Sequence, residues 1–135
     1  PEHDRPDISD PAPKPICVGA EACRLALQPD ERLRVLYLGG RTGALSRIRD
    51  IAERASVELI HHDGGHEEKL ARLEPMIHRC HIVFCPVDCV SHSACLFAKG
   101  QCRRQNKPFV PLRSSGGTTF ARALRELDAA MNGAA

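Results

Sequence analysis

From Leu33 onward, short apolar runs alternate with longer stretches in which apolar residues recur every three or four positions. LRVLYLGG is a run of apolar residues closed by two glycines and reads as a strand and a turn. ALSRIRDIAERA follows with Leu45, Ile48, Ile51, Ala52 and Ala55 on one helical face. VELIHHDGG reads as a second strand. EEKLARLEPMIHRC predicts a helix with Leu70, Leu73, Ile77 and Cys80 on one side and a kink at Pro75. HIVFCP predicts a third strand, CVSHSACLFAKGQCRRQN a third helix and PFVPLR a fourth strand. TTFARALRELDAAM closes the series as a helix with Phe120, Leu124, Leu127 and Met131 in register.

Strands that alternate with helices at this spacing must lie parallel, because each helix carries the chain back across the sheet in a right-handed crossover. The expected fold is a small open doubly wound (Rossmann-like) α/β domain of four strands, in order 2-1-3-4, with helices on both faces. Ligands of such sheets bind beyond the carboxyl ends of the strands. All the unusual chemistry of this chain follows a strand: GGR after the first, HHDGG after the second, CPVDCVSH after the third and RSSGG after the fourth. The loops at the other end, ERAS and RQNK, carry nothing comparable.

Ahead of this array, residues 1–15 contain five prolines among acidic and small residues, the composition of a disordered tail. Residues 16–135 form the single α/β domain, with a short helix expected at 16–28 and the βα units beginning at Leu33. A length of 135 residues allows one core, so every site must share it. A net charge of +2, evenly spread, argues against nucleic acid, and the four Phe, one Tyr and no Trp offer no base-stacking platform. No apolar run is long enough to span a bilayer, and the start of the chain lacks the pattern of a signal peptide, so we expect a cytoplasmic protein. The odd count of seven cysteines then speaks for reduced thiols rather than a disulfide scaffold.

The loops differ in how strongly they point to chemistry. Gly39, Gly40, Arg41, Thr42 and Gly43 suit a tight turn, though Gly40 and Arg41 could also receive an anion. Arg113, Ser114, Ser115 and Gly116 make a similar nest before the last helix, and two such loops facing one cleft favour a ligand with an anionic group. In the second loop, strand alternation sends His61 and His62 to opposite faces. We assign His62 to the cleft, with Asp63 as a helix cap or an orienter of an imidazole. The third loop is richest: Cys85, Asp88, Cys89, Ser91 and His92 lie at a strand end and helix mouth, where thiolates are stabilised. Ser91 suits an N-cap, Lys99 shares a helical stripe with His92 and Cys95, and Cys80, Cys95 and Cys102 read as packing residues.

The motifs GGRTG, HHDGG, CPVDCVSHSAC with Lys99, and KPFVPLRSSG, with the closing helix, resemble a bacterial family catalogued as a domain of unknown function, over roughly Leu33 to Leu127. A shorter branch of that family keeps the third-loop His, the Lys one helix later and the Arg-Ser ending the fourth strand, but lacks most of the cysteines. The resemblance therefore implies a common site at His92, Lys99 and Arg113, with Cys85 and Cys89 peculiar to this branch. It implies no activity.

From the residue types, the leading expectation is a haem- or iron-binding domain responsive to redox state or oxygen, with ligand candidates His92, Cys85, Cys89 and His62. Cys85 followed by Pro86 has the form of a short thiolate-ligand motif, and the basic glycine loops could receive propionates. A cleft large enough for a porphyrin implies a homodimer, and the small partner would be a diatomic gas. One alternative is a bare Zn or non-haem Fe site on Cys85, Cys89 and His92 with His62 or Asp88. Another is a metal-free thiol switch or enzyme built on Cys89 that acts on a phosphorylated ligand. No feature points to a purely partner-binding module.

Overall fold

The computed structural model describes residues 27–28, 30–39, 42–65, 69–88 and 90–131. Within them the chain runs β1 (Arg34–Leu38), α1 (Thr42–Arg54), β2 (Glu58–His62), α2 (Leu73–Arg79), β3 (Ile82–Pro86), α3 (His92–Gln105), β4 (Phe109–Leu112) and α4 (Gly117–Met131), with a 3-10 turn, Leu70–Arg72, leading into α2. The tail over 1–15 and the helix expected at 16–28, except Leu27 and Gln28, lie outside the described residues.

The strands pair in the order β2-β1-β3-β4, and every pair is parallel, as the alternation of elements requires. The central strands are apolar on both sides because helices cover both faces. Along β1, Val35 and Tyr37 join the core under α1 and α4, together with Ile48, Ala52, Phe120 and Leu127. Leu36 and Leu38 join the opposite core under α2 and α3, with Leu73, Ile77, Cys80, Ala98 and Cys102. Phe120 anchors the first core, meeting Tyr37 and Phe84 edge to face with ring centroids 5.4 and 5.7 Å apart.

The helix ends follow local chemistry. Ser91 Oγ accepts the Ala94 N–H at 3.1 Å and starts α3. Asn106, left-handed at φ 58°, ends it after Arg103 and Arg104. Pro75 was expected to kink a longer helix and does not: α2 begins only at Leu73, so Pro75 sits in its first turn, where a missing N–H costs no helical bond. Among the described residues, no helix is long and apolar enough to cross a membrane.

Candidate functional site

The loops at the carboxyl ends of the strands touch one another. Behind β1, Gly39 turns at φ 79°, and its N–H donates to the His62 carbonyl at 2.7 Å. Gly64, at φ +80°, packs against both neighbouring loops: a Cβ there would be in ordinary contact, 3.5 Å from Gly39 Cα and 3.9 Å from Val90 Cγ1. This joins the first, second and third loops. The third is joined to the fourth by the Ser115 N–H, which donates to Asp88 Oδ2 at 3.3 Å. Tyr37, fully buried in β1, closes the ring with its hydroxyl donating to the Ser115 carbonyl at 3.3 Å.

His61 and His62 do face opposite ways. His61 is half-buried and donates from Nε2 to the Gly39 carbonyl at 2.8 Å, pinning β2 to the first loop. His62 is fully buried, and both of its ring nitrogens are used by its own loop. The Gly64 N–H donates to Nδ1 at 3.0 Å, so Nε2 must carry the proton it donates to the Lys69 carbonyl at 3.0 Å. A neutral imidazole held at both nitrogens has no lone pair to offer a metal unless this loop rearranges. Asp63 Oδ1 accepts the Gly65 N–H at 3.0 Å, an Asx turn rather than a helix cap.

Third-loop residues separate by depth. Cys85 is fully buried on β3 among the side chains under α2 and α3, with Cys80 and Cys102 in the same cluster. Burial pushes the Cys80 thiol up to about 11, against the pull of Lys107, and the Cys102 thiol up to about 12, reinforced by Cys80. Both thiols therefore stay protonated and inert at neutral pH. Asp88 and Ser91 are exposed, each already accepting a backbone N–H. His92, the first residue of α3, is exposed, while Cys95 and Lys99 on its stripe are half-buried. Val87 and Leu96, on either side of His92 in sequence, are large hydrophobics each 52% exposed. Cys89 lies outside the described residues, as do Gly40 and Arg41.

In the fourth loop, Ser114 Oγ bonds Thr119 Oγ1 at 2.7 Å and accepts the Gly116 N–H at 3.4 Å, bracing the start of α4. Ser115 is buried, and Arg113 and Gly116 are exposed. Arg47 of α1 also reaches this loop. A Cβ on Gly117 would fall 2.6 Å from Arg47 Nε, so the guanidinium lies against the first turn of α4. Arg47 was not singled out from the sequence, where it is one of several polar residues on the outer face of α1. Tyr37 could have been: the only tyrosine, set in an apolar strand, needs a partner for its hydroxyl.

The described geometry thus offers a braced fourth loop with Arg47 against the start of α4, an exposed Arg113, and an exposed His92 with Leu96 exposed one turn further along α3. Among the described residues, no three His, Cys, Asp or Glu side chains come together as a metal cluster.

No curated protein matches the chain. Among solved structures it is similar to the lactose-specific IIB component domain of the phosphoenolpyruvate:carbohydrate phosphotransferase system from Streptococcus pneumoniae. That match has 17% identity and a TM-score of 0.45, covering 73% of this chain and 93% of the other. A likeness of that size adds nothing to the fold read from the strand order. A family model described as an uncharacterized protein conserved in bacteria, DUF2325, matches residues 34–127, the whole array from β1 through most of α4, and the chain belongs to that family.

Proposed function

We propose that this domain binds haem iron at the carboxyl end of its sheet, with His92 as the protein ligand, and responds to redox state or oxygen. The observation that carries this reading is the exposure of His92 at the start of α3 together with that of Leu96 on the same helix. Leu96 lies one helical turn after His92, on the same face of α3. A large apolar side chain left in water one turn from an imidazole, with a second exposed at Val87 in the loop that leads to the helix, suits the face of a flat apolar cofactor that needs only one or two protein ligands. A bare four-ligand Zn or Fe site would have to recruit donors such as His62 and Cys85, one engaged at both nitrogens and the other enclosed in the core. Cys89, close to His92 in the sequence of the same loop, is the further ligand candidate.

When bound, haem would supply a redox-active iron able to take a diatomic gas. The chain's own part is to hold that iron through His92, cover one face with Val87 and Leu96, and meet the propionates with Arg113, Arg47 and the amides that begin α4. The other face would be covered by a second copy, making the functional unit a homodimer. A second reading, a phosphorylated ligand held at the same rim, draws on Arg47 lying against Gly117.

Absorption spectra of protein from cells grown with iron and a haem precursor, before and after dithionite, test the proposal. The expected result is a Soret band that shifts on reduction and is lost or moved in His92→Ala. A colourless protein with bound zinc would overturn haem in favour of a bare metal site. A colourless, metal-free protein would leave the phosphorylated-ligand and thiol readings.

A further inference from the structure

At the amino end of the sheet, opposite the ligand loops, Glu31, Arg34 and His81 form a hydrogen-bonded group that the candidate site does not use. The first paired residues of β1 and β3 are Val35 and Ile82, and Arg34 and His81 lie one residue before them. His81 takes both backbone groups of Arg34. Its own N–H donates to the Arg34 carbonyl at 2.8 Å, and its ring Nδ1 accepts the Arg34 N–H at 2.9 Å. With Nδ1 an acceptor, the single proton of the neutral ring sits on Nε2, which donates to Glu31 Oε2 at 3.0 Å.

Glu31 is itself held from behind. Its Oε1 accepts the Gln28 N–H at 3.1 Å, its N–H donates to the Gln28 carbonyl at 3.0 Å, and the Arg34 guanidinium stands 3.5 Å from Oε2. The Gln28 N–H, and after it His81, hold the Glu31 carboxyl below its ordinary value of 4.5, so it stays ionised at every pH above that. Other cations nearby have partners of their own. Arg34 Nε donates to the Arg79 carbonyl, Lys107 Nζ to the carbonyls of His78 and Cys80 at 3.3 and 2.6 Å, and Arg32 to the Ser56 carbonyl at 3.3 Å. The Cys80 thiol, pushed up to about 11 by burial, adds no charge at neutral pH.

A second proton can enter the ring only at Nδ1, the atom that accepts the Arg34 N–H, so the charged ring and that bond exclude each other. The neighbours pull in opposite directions: the Glu31 carboxylate favours the charged ring, and the Arg34 N–H, with its guanidinium close by, favours the neutral one. We infer that Glu31, His81 and Arg34 form an acid-sensitive joint where the chain enters the sheet. On acidification the ring takes a proton from water at Nδ1, gives up the Arg34 N–H and stays with Glu31 as an ion pair. The start of β1 then keeps only the bond from the His81 N–H, while the segment before it is gripped more tightly. The side chain of His81 is 13% exposed, enough for water to deliver the proton without unfolding. This inference stands apart from the haem proposal.

Nitrogen NMR of the full chain from pH 8 to pH 5 tests it. The ring shifts of His81 should show the Nε2–H tautomer at the start and a proton added at Nδ1 as pH falls. Over the same range, exchange of the Arg34 amide, corrected for the intrinsic effect of pH, should quicken about fivefold, the loss of one net hydrogen bond. The amides of Leu36 and Val83, deeper in the same strand pair, should keep their protection. In Glu31→Gln, which keeps an acceptor but not the charge, Arg34 should be released at lower pH. In His81→Asn, whose side-chain oxygen can stand where Nδ1 stands, exchange of Arg34 should no longer depend on pH. A proton found on Nδ1 at pH 8, an Arg34 amide equally protected at both ends of the range, release at an unchanged pH in Glu31→Gln, or pH dependence that persists in His81→Asn would each overturn the inference.

Discussion

Across 3.3 Å, the backbone N–H of Ser115 donates to the carboxylate of Asp88, so the loop after β3 and the loop after β4 are held as one piece. Both residues arise on neighbouring strands: Pro86 pairs with Leu112 in the register of β3 and β4, two and three residues before them. A short acidic side chain at the end of one strand thus meets the turn that follows the next.

Removing that carboxylate should loosen the rim without unfolding the domain. Asp88→Ala should lower stability by about 1 kcal/mol, the net worth of one hydrogen bond to a partly exposed charged group. Asp88→Asn, which keeps an acceptor, should recover much of it. Urea unfolding of the three proteins checks this, and equal midpoints would show that the bond contributes nothing.

His62 should matter far more to folding. Substitution by Ala would remove a fully buried ring and leave the Lys69 carbonyl and the Gly64 N–H without their partner. Cavity and unmet polar groups together should cost about 3 kcal/mol. Chemical denaturation of the variant beside the unsubstituted protein measures it. A loss near zero would mean that the second loop is not held through this ring.

Two glycines make a paired test. Gly64 has a φ of +80° and faces Gly39, so Gly64→Ala should destabilise by roughly 1–2 kcal/mol. Gly43, in the first turn of α1, would meet nothing within 4 Å. Gly43→Ala should leave stability unchanged or raise it by up to about 1 kcal/mol. Thermal melts of both variants should therefore move apart, and a shared direction would contradict the backbone assignment.

Thiol reactivity should divide by depth and pH. Cys80 and Cys102, raised by burial to about 11 and about 12, should not react with a disulfide reagent at pH 8 in the native protein, yet should react at once in denaturant. The sign for stability follows. A thiol that binds its proton more tightly when folded contributes fully below the unfolded thiol value near pH 9. That contribution fades as pH climbs through 9 towards 11 and 12. The denaturant midpoint should thus be lower at about pH 10.5 than at pH 8, and a Cys80→Ser, Cys102→Ser double variant should show a smaller drop.

Much of this molecule is readable along the chain. Ile48 and Ala52, or Phe120, Leu124 and Leu127, recur at helical spacing because one side of each helix must cover the sheet. Leu36 to Leu38 is continuously buried because both sides of the strand are covered. Those constraints are local and periodic, so they show in order along one strand or helix, and with them the parallel order of the sheet. The gathering of glycine, histidine and cysteine loops at one end follows from the same order.

The roles inside that site were decided elsewhere. Sequence makes Cys85 and Cys89 look alike, but Cys85 is sealed under α2 and α3 in a cluster that draws Leu38 and Phe109 from distant parts of the chain. Nor does HHDGG disclose that the ring of His62 is used up by Gly64 and Lys69, or SRIRD that Arg47 will lie against Gly117. By itself the sequence determined the elements, the sheet order and the end of the sheet where chemistry gathers, because period and spacing are properties of neighbouring residues. Only the tertiary structure decided which imidazole is open, which thiol is buried and which arginine reaches the rim. Depth and hydrogen-bond partners depend on residues far apart in the chain, brought together by packing.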